Sequence, residues 1–236
     1  VLYGGLAVTA GADQVLAVTG APAPLTVTAG DGEVRRVPML APFPLLAGET
    51  LEVGTPHSGL RSYVSVRGGL DAPLVLGSRS TDTLSGIGPD PLVPGMQLGV
   101  LAVPVSSVVG DPELPAGEPE DVTVLHMLAG PRQDWFDPAA VARFSSQEWT
   151  VTAQSNRIGL RLQGPALTRI RSGELASEGT VRGAIQVPPS GQPVLFLADH
   201  PVTGGYPVLG VVASADLDKA AQLPPGARIR FETTPA

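Results

Sequence analysis

The chain contains no cysteine, which excludes disulfide frameworks, thiolate nucleophiles and cysteine-ligated metals. Its three histidines, His57, His126 and His200, stand far apart and match no metal-ligand spacing, so no metal is expected. Basic clusters are missing as well. With 15 Lys and Arg against 22 Asp and Glu, the net charge is -7, and there is no electrostatic footprint for nucleic acid or an anionic membrane. Lys219 is the only lysine, an arginine bias that carries no mechanistic weight. No apolar run reaches the length of a membrane span and no basic-then-apolar leader is visible, so a cytoplasmic protein without nucleic-acid or membrane partners is the expectation.

Aromatic residues make up only 4% of the chain, while 29 glycines and 25 prolines punctuate it. A core of Val, Leu, Ala and Ile with many turns is the composition of a mainly β protein built from short strands. The 236 residues suffice for one large β domain or two smaller ones. The chain opens on Val1, without methionine, and enters strand-like alternation almost at once, as a domain entered partway would.

In the first half the runs LAVTA, QVLAVTG, PLTVTAG, EVRRVPM, TLEVG, SYVSVRGG and GVLAVP each close on Gly or Pro, which predicts a sandwich or barrel. Residues 71–95 form a loop too long for a hairpin, and loops of that length tend to be functional. Residues 105–120 are acidic and rich in Pro and Gly, which predicts a linker and divides the chain into domains 1–118 and 119–236. Beyond it, Asp137 as N-cap and Pro138 at the first helical position open a short helix through Phe144. Strands follow at WTVTA, RIGLRLQG, GAIQVP, PVLFLAD and PVLGVVAS. A helix is predicted over residues 215–223, and ARIRFE closes as a strand.

Polar residues with chemical capacity concentrate between Ser155 and Tyr206. Asn156 offers an amide and Arg157 a planar fork suited to carboxylate or phosphate; for the dipeptide alone, a turn for the one and a structural carboxylate for the other is the simpler account. Glu178 sits in a Ser-Glu-Gly turn, where it could serve as acid or base or simply be solvated. Gln186, flanked by Ile185 and Val187, projects opposite to them and could read an amide ligand or make a buried hydrogen bond. In Thr203-Gly204-Gly205-Tyr206 the glycines permit positive φ, so their amides could line an anion-binding concavity capped by Thr203 and Tyr206, or form a plain tight turn. Asp199 and His200 are adjacent and point apart along a strand, which disfavours a dyad. In the first half, Ser78 and Arg79 lie in the long loop and could hold an anion. Neither a GxxxxGK[ST] phosphate loop nor a Gly-x-Ser-x-Gly elbow is present.

Taken as a set, SVRGGLDAPLVLGSRSTDTLSGIG, QSNRIGLRLQGP, SEGTVRGAIQVPPSGQPVLFLADHPVTGGYP and SADLDKAAQLPPGARIRF resemble the allophanate hydrolase subunit 2 family. That family includes the C subunit of the bacterial ATP-dependent 5-oxoprolinase and the carboxyltransferase part of urea carboxylase. The resemblance implies two cyclophilin-like β-barrel subdomains and a subunit 1 homologue as partner. It also implies an N-terminal segment ahead of Val1 that this sequence does not carry. The positions carried over are Arg67 with Gly68 and Gly69, Ser78, Arg79 and Ser80, Asn156 and Arg157, Ser177, Glu178 and Gly179, Gln186 and Pro188, and Thr203 to Tyr206. A lactam or urea-like substrate would then meet amides from Asn156 and Gln186, a cation from Arg157 or Arg79, and an oxyanion-type site at Gly204 and Gly205, with Glu178 and Arg157 as catalytic candidates. The implied activity is that of one component of a 5-oxoprolinase, with ATP handled at least partly by partners. The alternatives are a carboxyltransferase component, which would use biotin, and a regulatory protein that binds a kinase-inhibitor-like subunit 1 homologue.

Overall fold

The computed structural model describes residues 1–102, 112, 120–171, 173 and 175–234, and the predicted linker falls outside them except for Pro112 and Glu120. The chain divides into two compact units, Val1–Gly117 and Glu118–Ala236. Both are β-structures. Among the described residues no helix is long and apolar enough to cross a membrane.

In the first unit, Leu6–Thr9, Thr50–Val53, Leu25–Thr28 and Val34–Arg36 lie side by side in an antiparallel sheet, and Phe43–Leu45, Gln14–Gly20 and Ser62–Val66 form a second. Their strict alternation sends Leu16, Val18, Leu25, Val27, Phe43, Leu45, Leu51 and Val53 into one shared core. A short ribbon pairs Leu70–Asp71 with Gly99–Val100. Gly68 precedes it at φ 94, where a Cβ would lie 2.5 Å from the Leu101 carbonyl oxygen, so only glycine fits.

The second unit is a closed seven-stranded barrel. Around it run Val122–Ala129, Val208–Val212, Ala184–Gln186, Val194–Phe196, Gly159–Gln163, Trp149–Val151 and Arg228–Thr233, and the last strand returns to pair in parallel with the first. Leu125, Met127, Leu160, Leu162, Ile185, Leu195, Leu209, Ile229 and Phe231 fill the interior. The helix Pro138–Ser146 starts where the Asp-Pro signal places it, with Asp137 Oδ1 accepting from the Ala139 N–H at 2.6 Å. It drives Phe144 against Phe231 and Trp149, with ring centroids 4.6 and 5.5 Å away. On the opposite face of the barrel strands, Ala184, Phe196 and Val208 form a small second cluster.

The helix Ser214–Ala221 is tied to the barrel by Asp216, which is 4% exposed. Its carboxylate accepts from the His126 backbone N–H and from His126 Nδ1, both at 2.8 Å, and from Lys219 Nζ at 3.0 Å. Burial alone would raise its pKa, but these donors outweigh it and hold the carboxyl below the ordinary value of 3.8. A depressed folded-state value means the stabilisation is complete above the unfolded-state pKa and is lost as pH falls through the folded one. Melts of the wild type should therefore lose stability below about pH 4, and Asp216→Ala should cost about 1–3 kcal/mol at neutral pH and flatten that acid limb. A variant as acid-sensitive as the wild type would assign the limb to other carboxylates.

Candidate functional site

Two short segments that carry no strand periodicity meet over the second cluster of the barrel. Glu178–Gly179 pairs antiparallel with Thr203–Gly204, with Glu178 opposite Gly204 and Gly179 opposite Thr203. The Thr180 N–H donates to the Val202 carbonyl at 2.9 Å. Because hydrogen-bonded and non-bonded pairs alternate along an antiparallel ladder, Glu178 and Gly204 exchange both of their backbone bonds. The Gly204 amide is therefore committed to the ladder, whereas the Gly205 N–H has no acceptor among the described residues.

Neither Gly204 nor Gly205 takes a positive φ, so the turn geometry expected for this pair does not occur. Glycine is required at 204 for another reason. A Cβ there would lie 2.5 Å from Gln186 Nε2 and 3.0 Å from Oε1. The Gln186 side chain lies flat beneath the ribbon on the side away from Ile185, as the strand alternation predicts. It is 4% exposed; no hydrogen bond of its amide occurs among the described residues, and its amide atoms are not among the fully enclosed unpartnered ones, so they stay in reach of solvent.

Glu178 is clamped from the side by Arg132, whose Nε donates to Oε2 at 3.1 Å and whose Nη2 donates to Oε1. The Arg132 backbone N–H donates to the Val208 carbonyl, and Val208 stands opposite Gln186 across the barrel strands. The Arg132 guanidinium holds the Glu178 carboxyl below its ordinary pKa, so Glu178 is ionised at neutral pH. In this ionised state it is an acceptor or a base. Tyr206 follows the ribbon, half exposed, with the Arg169 guanidinium 5.9 Å from its ring centroid. Arg169 Nη2 also donates to the Val187 carbonyl.

Glu178, Gln186, Gly204, Gly205 and Tyr206 thus converge, with Thr203 exposed at the edge of the ribbon. Asn156 and Arg157 belong to a separate constellation. Asn156 Oδ1 accepts from the Ile158 and Gly159 N–H groups at 2.9 and 3.3 Å, an Asx turn that occupies its amide oxygen. Arg157 Nε donates to Asp199 Oδ2 at 2.7 Å. The neighbouring His200 turns instead to Thr180 and stacks on Phe196, so Asp199 and His200 form no dyad.

Ser78 and Arg79 lie in the first unit. Ser78 exchanges two backbone bonds with Val75 across a tight turn whose tip, Leu76 at φ 50 and Gly77 at φ 80, is left-handed. Ser78 Oγ accepts from the Ser80 N–H at 3.0 Å, and Arg79 donates to the Ala72 carbonyl and faces Asp71 at 3.7 Å. Both are used inside the loop. Arg132 and Arg169 escape sequence reasoning, since nothing local to either marks a partner 46 or 18 residues away. Among the described residues no group of three His, Cys, Asp or Glu could hold a metal.

The whole of residues 1–233 matches the family model described as carboxyltransferase domain, subdomain A and B. The C subunit of the 5-oxoprolinase of Escherichia coli K12 is 38% identical over 195 residues, covering 80% of this chain and 61% of that protein. The urea amidolyase of Saccharomyces cerevisiae is 33% identical over 248 residues, covering 93% of this chain and 13% of that protein. The crystal structure of the K. lactis urea amidolyase superposes with a TM-score of 0.88 at 28% identity, over 100% of this chain and 15% of that one. The chain therefore spans about three-fifths of the bacterial protein and a small part of the yeast enzyme. With its sequence matched from end to end and its barrel superposed, the chain belongs to the carboxyltransferase domain family, subdomains A and B.

Proposed function

We propose that this chain is one component of a cytoplasmic ATP-dependent 5-oxoprolinase, acting with a subunit 1 homologue on a small cyclic amide. The observation that carries this reading is the 38% identity to the C subunit of a bacterial 5-oxoprolinase over 80% of the chain. The site chemistry agrees with it. A lactam presents one N–H and one carbonyl side by side. The ionised Glu178 is an acceptor for the N–H, and the Gln186 amide and Gly205 N–H are donors for the carbonyl oxygen, where negative charge builds up when the ring is attacked. The buried, preformed amide favours a ligand that replaces water at no cost in reorganisation.

ATP is assigned to a partner. The sequence carries no phosphate loop, and Arg132, the cation nearest Glu178, is already neutralised by it. A second reading, a carboxyltransferase component dependent on biotin, draws support from the family description and from the superposition on urea amidolyase.

The two readings separate in one assay. The full-length protein reconstituted with its partner subunits is expected to hydrolyse ATP in a 5-oxoproline-dependent manner, with activity lost when this chain is omitted. Full activity without the chain would sink the oxoprolinase reading, and urea-dependent turnover that requires a biotinylated carrier would replace it with the carboxyltransferase.

A further inference from the structure

Most described arginines of the second unit are either paired or solvated. Arg132, Arg157, Arg171, Arg228 and Arg230 each face a carboxylate, while Arg143, Arg161 and Arg182 are exposed to water. Arg169 fits neither group. It is half-buried, no carboxylate lies within ion-pair distance of it among the described residues, and its Nε is fully buried without an acceptor. Burial correspondingly lowers its pKa from the ordinary arginine value. A cation that has lost water without gaining an anion is destabilised in the free protein, and an anionic ligand would reverse that.

Arg169 lines a depression of about 470 Å³ with Leu167, Thr168, Arg171, Pro189 and Ser190. Its guanidinium is held over Tyr206 on one side and by the Val187 carbonyl on the other, the residues that follow Gly205 and Gln186 in the chain. A second cation, Arg171, stands at the rim with its charge balanced by Asp134 at 2.6 Å.

We propose that Arg169 is the cation of a carboxylate subsite adjoining the Gln186 amide position, so that the site selects small amides that also carry a carboxylate. The proposal rests on the lactam reading above. An acid group on the carbon beside the amide nitrogen would approach the ionised Glu178, whose own counter-charge, Arg132, is already engaged. Such a ligand therefore needs a separate cation within one or two bonds of its amide. Arg169 supplies a planar fork, and a fork holds a carboxylate through two parallel bonds where a lysine would make one point contact.

The test uses the full-length protein with its partner subunits, assayed for 5-oxoproline-dependent ATP hydrolysis. Arg169→Met is expected to raise KM for 5-oxoproline roughly 10- to 100-fold with kcat nearly unchanged, and Arg169→Lys to restore part of the loss. The neutral lactam 2-pyrrolidinone should inhibit the wild type only weakly, and Arg169→Met to the same degree. Thermal melts establish that both variants are folded; if Arg169→Met is not, Arg169→Lys and the 2-pyrrolidinone comparison decide. An unchanged KM in a folded variant, or 2-pyrrolidinone binding the wild type as well as 5-oxoproline does, overturns the subsite. If the complex does not turn over 5-oxoproline at all, the oxoprolinase reading fails on its own. The subsite is then judged by NMR titration with N-acetylglycine against N-methylacetamide: preference for the acid that disappears in Arg169→Met sustains it, and equal binding overturns it.

Discussion

Glu178→Gln is expected to lower kcat/KM of the reconstituted complex by about a hundredfold, the usual loss when a positioned acid–base group is removed. The substitution preserves size and leaves an amide oxygen that can still accept, so the loss reports the negative charge. That charge is set by Arg132. With Arg132 present the carboxyl is held below its ordinary value of 4.5, and the carboxylate persists as pH falls past that point. In Arg132→Met the carboxyl returns towards its ordinary value, so the acid limb of the pH–rate profile should move up in pH while the neutral plateau falls less than in Glu178→Gln. Profiles of kcat/KM for the two variants check this. A Glu178→Gln enzyme as fast as the wild type would reduce the Arg132–Glu178 pair to a strut of the ribbon.

Phe144→Ala is expected to cost the second unit about 4 kcal/mol, in the range for deleting a fully buried aromatic ring. The ring is 0% exposed, stacks on Phe231 at 4.6 Å, and lies 5.5 Å from Trp149, whose indole N–H donates to the Phe144 carbonyl. The cavity would open between the helix and the closing strand Arg228–Thr233, where backbone held by the barrel cannot collapse to fill it. A denaturant or thermal melt should show the loss as a fall in Tm on the order of 10 °C, with Phe144→Leu recovering more than half of it. A loss under about 1 kcal/mol would mean the helix does not depend on this contact.

How far the sequence anticipates these features depends on how local their physics is. The helix at Pro138 is announced by a cap and a proline within two residues, and it begins there, running two residues beyond the predicted Phe144. Strands with clean alternation, such as Val122–Ala129 and Arg228–Thr233, are read correctly for the same reason. Phe43–Leu45 escapes notice because Pro44 interrupts its pattern, although a proline at a sheet edge is permitted.

The site is legible only in part. The direction of Gln186 follows from strand alternation and is found as expected. The reason for Gly204 is not local: its missing side chain makes room for an amide 18 positions earlier in the chain, and nothing in Thr-Gly-Gly-Tyr distinguishes that from a demand for positive φ. Two-residue strands have no period to detect, so the ribbon that joins Glu178 to Gly204 had no signal in the sequence. Arg132 and Arg169 take their partners from tertiary topology alone.

The parallel pairing of Val122–Ala129 with Arg228–Thr233 has a consequence for how the second unit is made. Its first strand cannot be sealed until its last has been synthesised, so during translation the barrel waits as an open sheet with one apolar edge exposed. Closure then joins the two ends of the unit in a single, highly non-local step, the kind that folds slowly and is most exposed to aggregation. The same arrangement brings those ends together in space, so a permuted chain with new termini between the exposed Pro189 and Ser190 should keep the barrel while reversing the order in which its seam is closed.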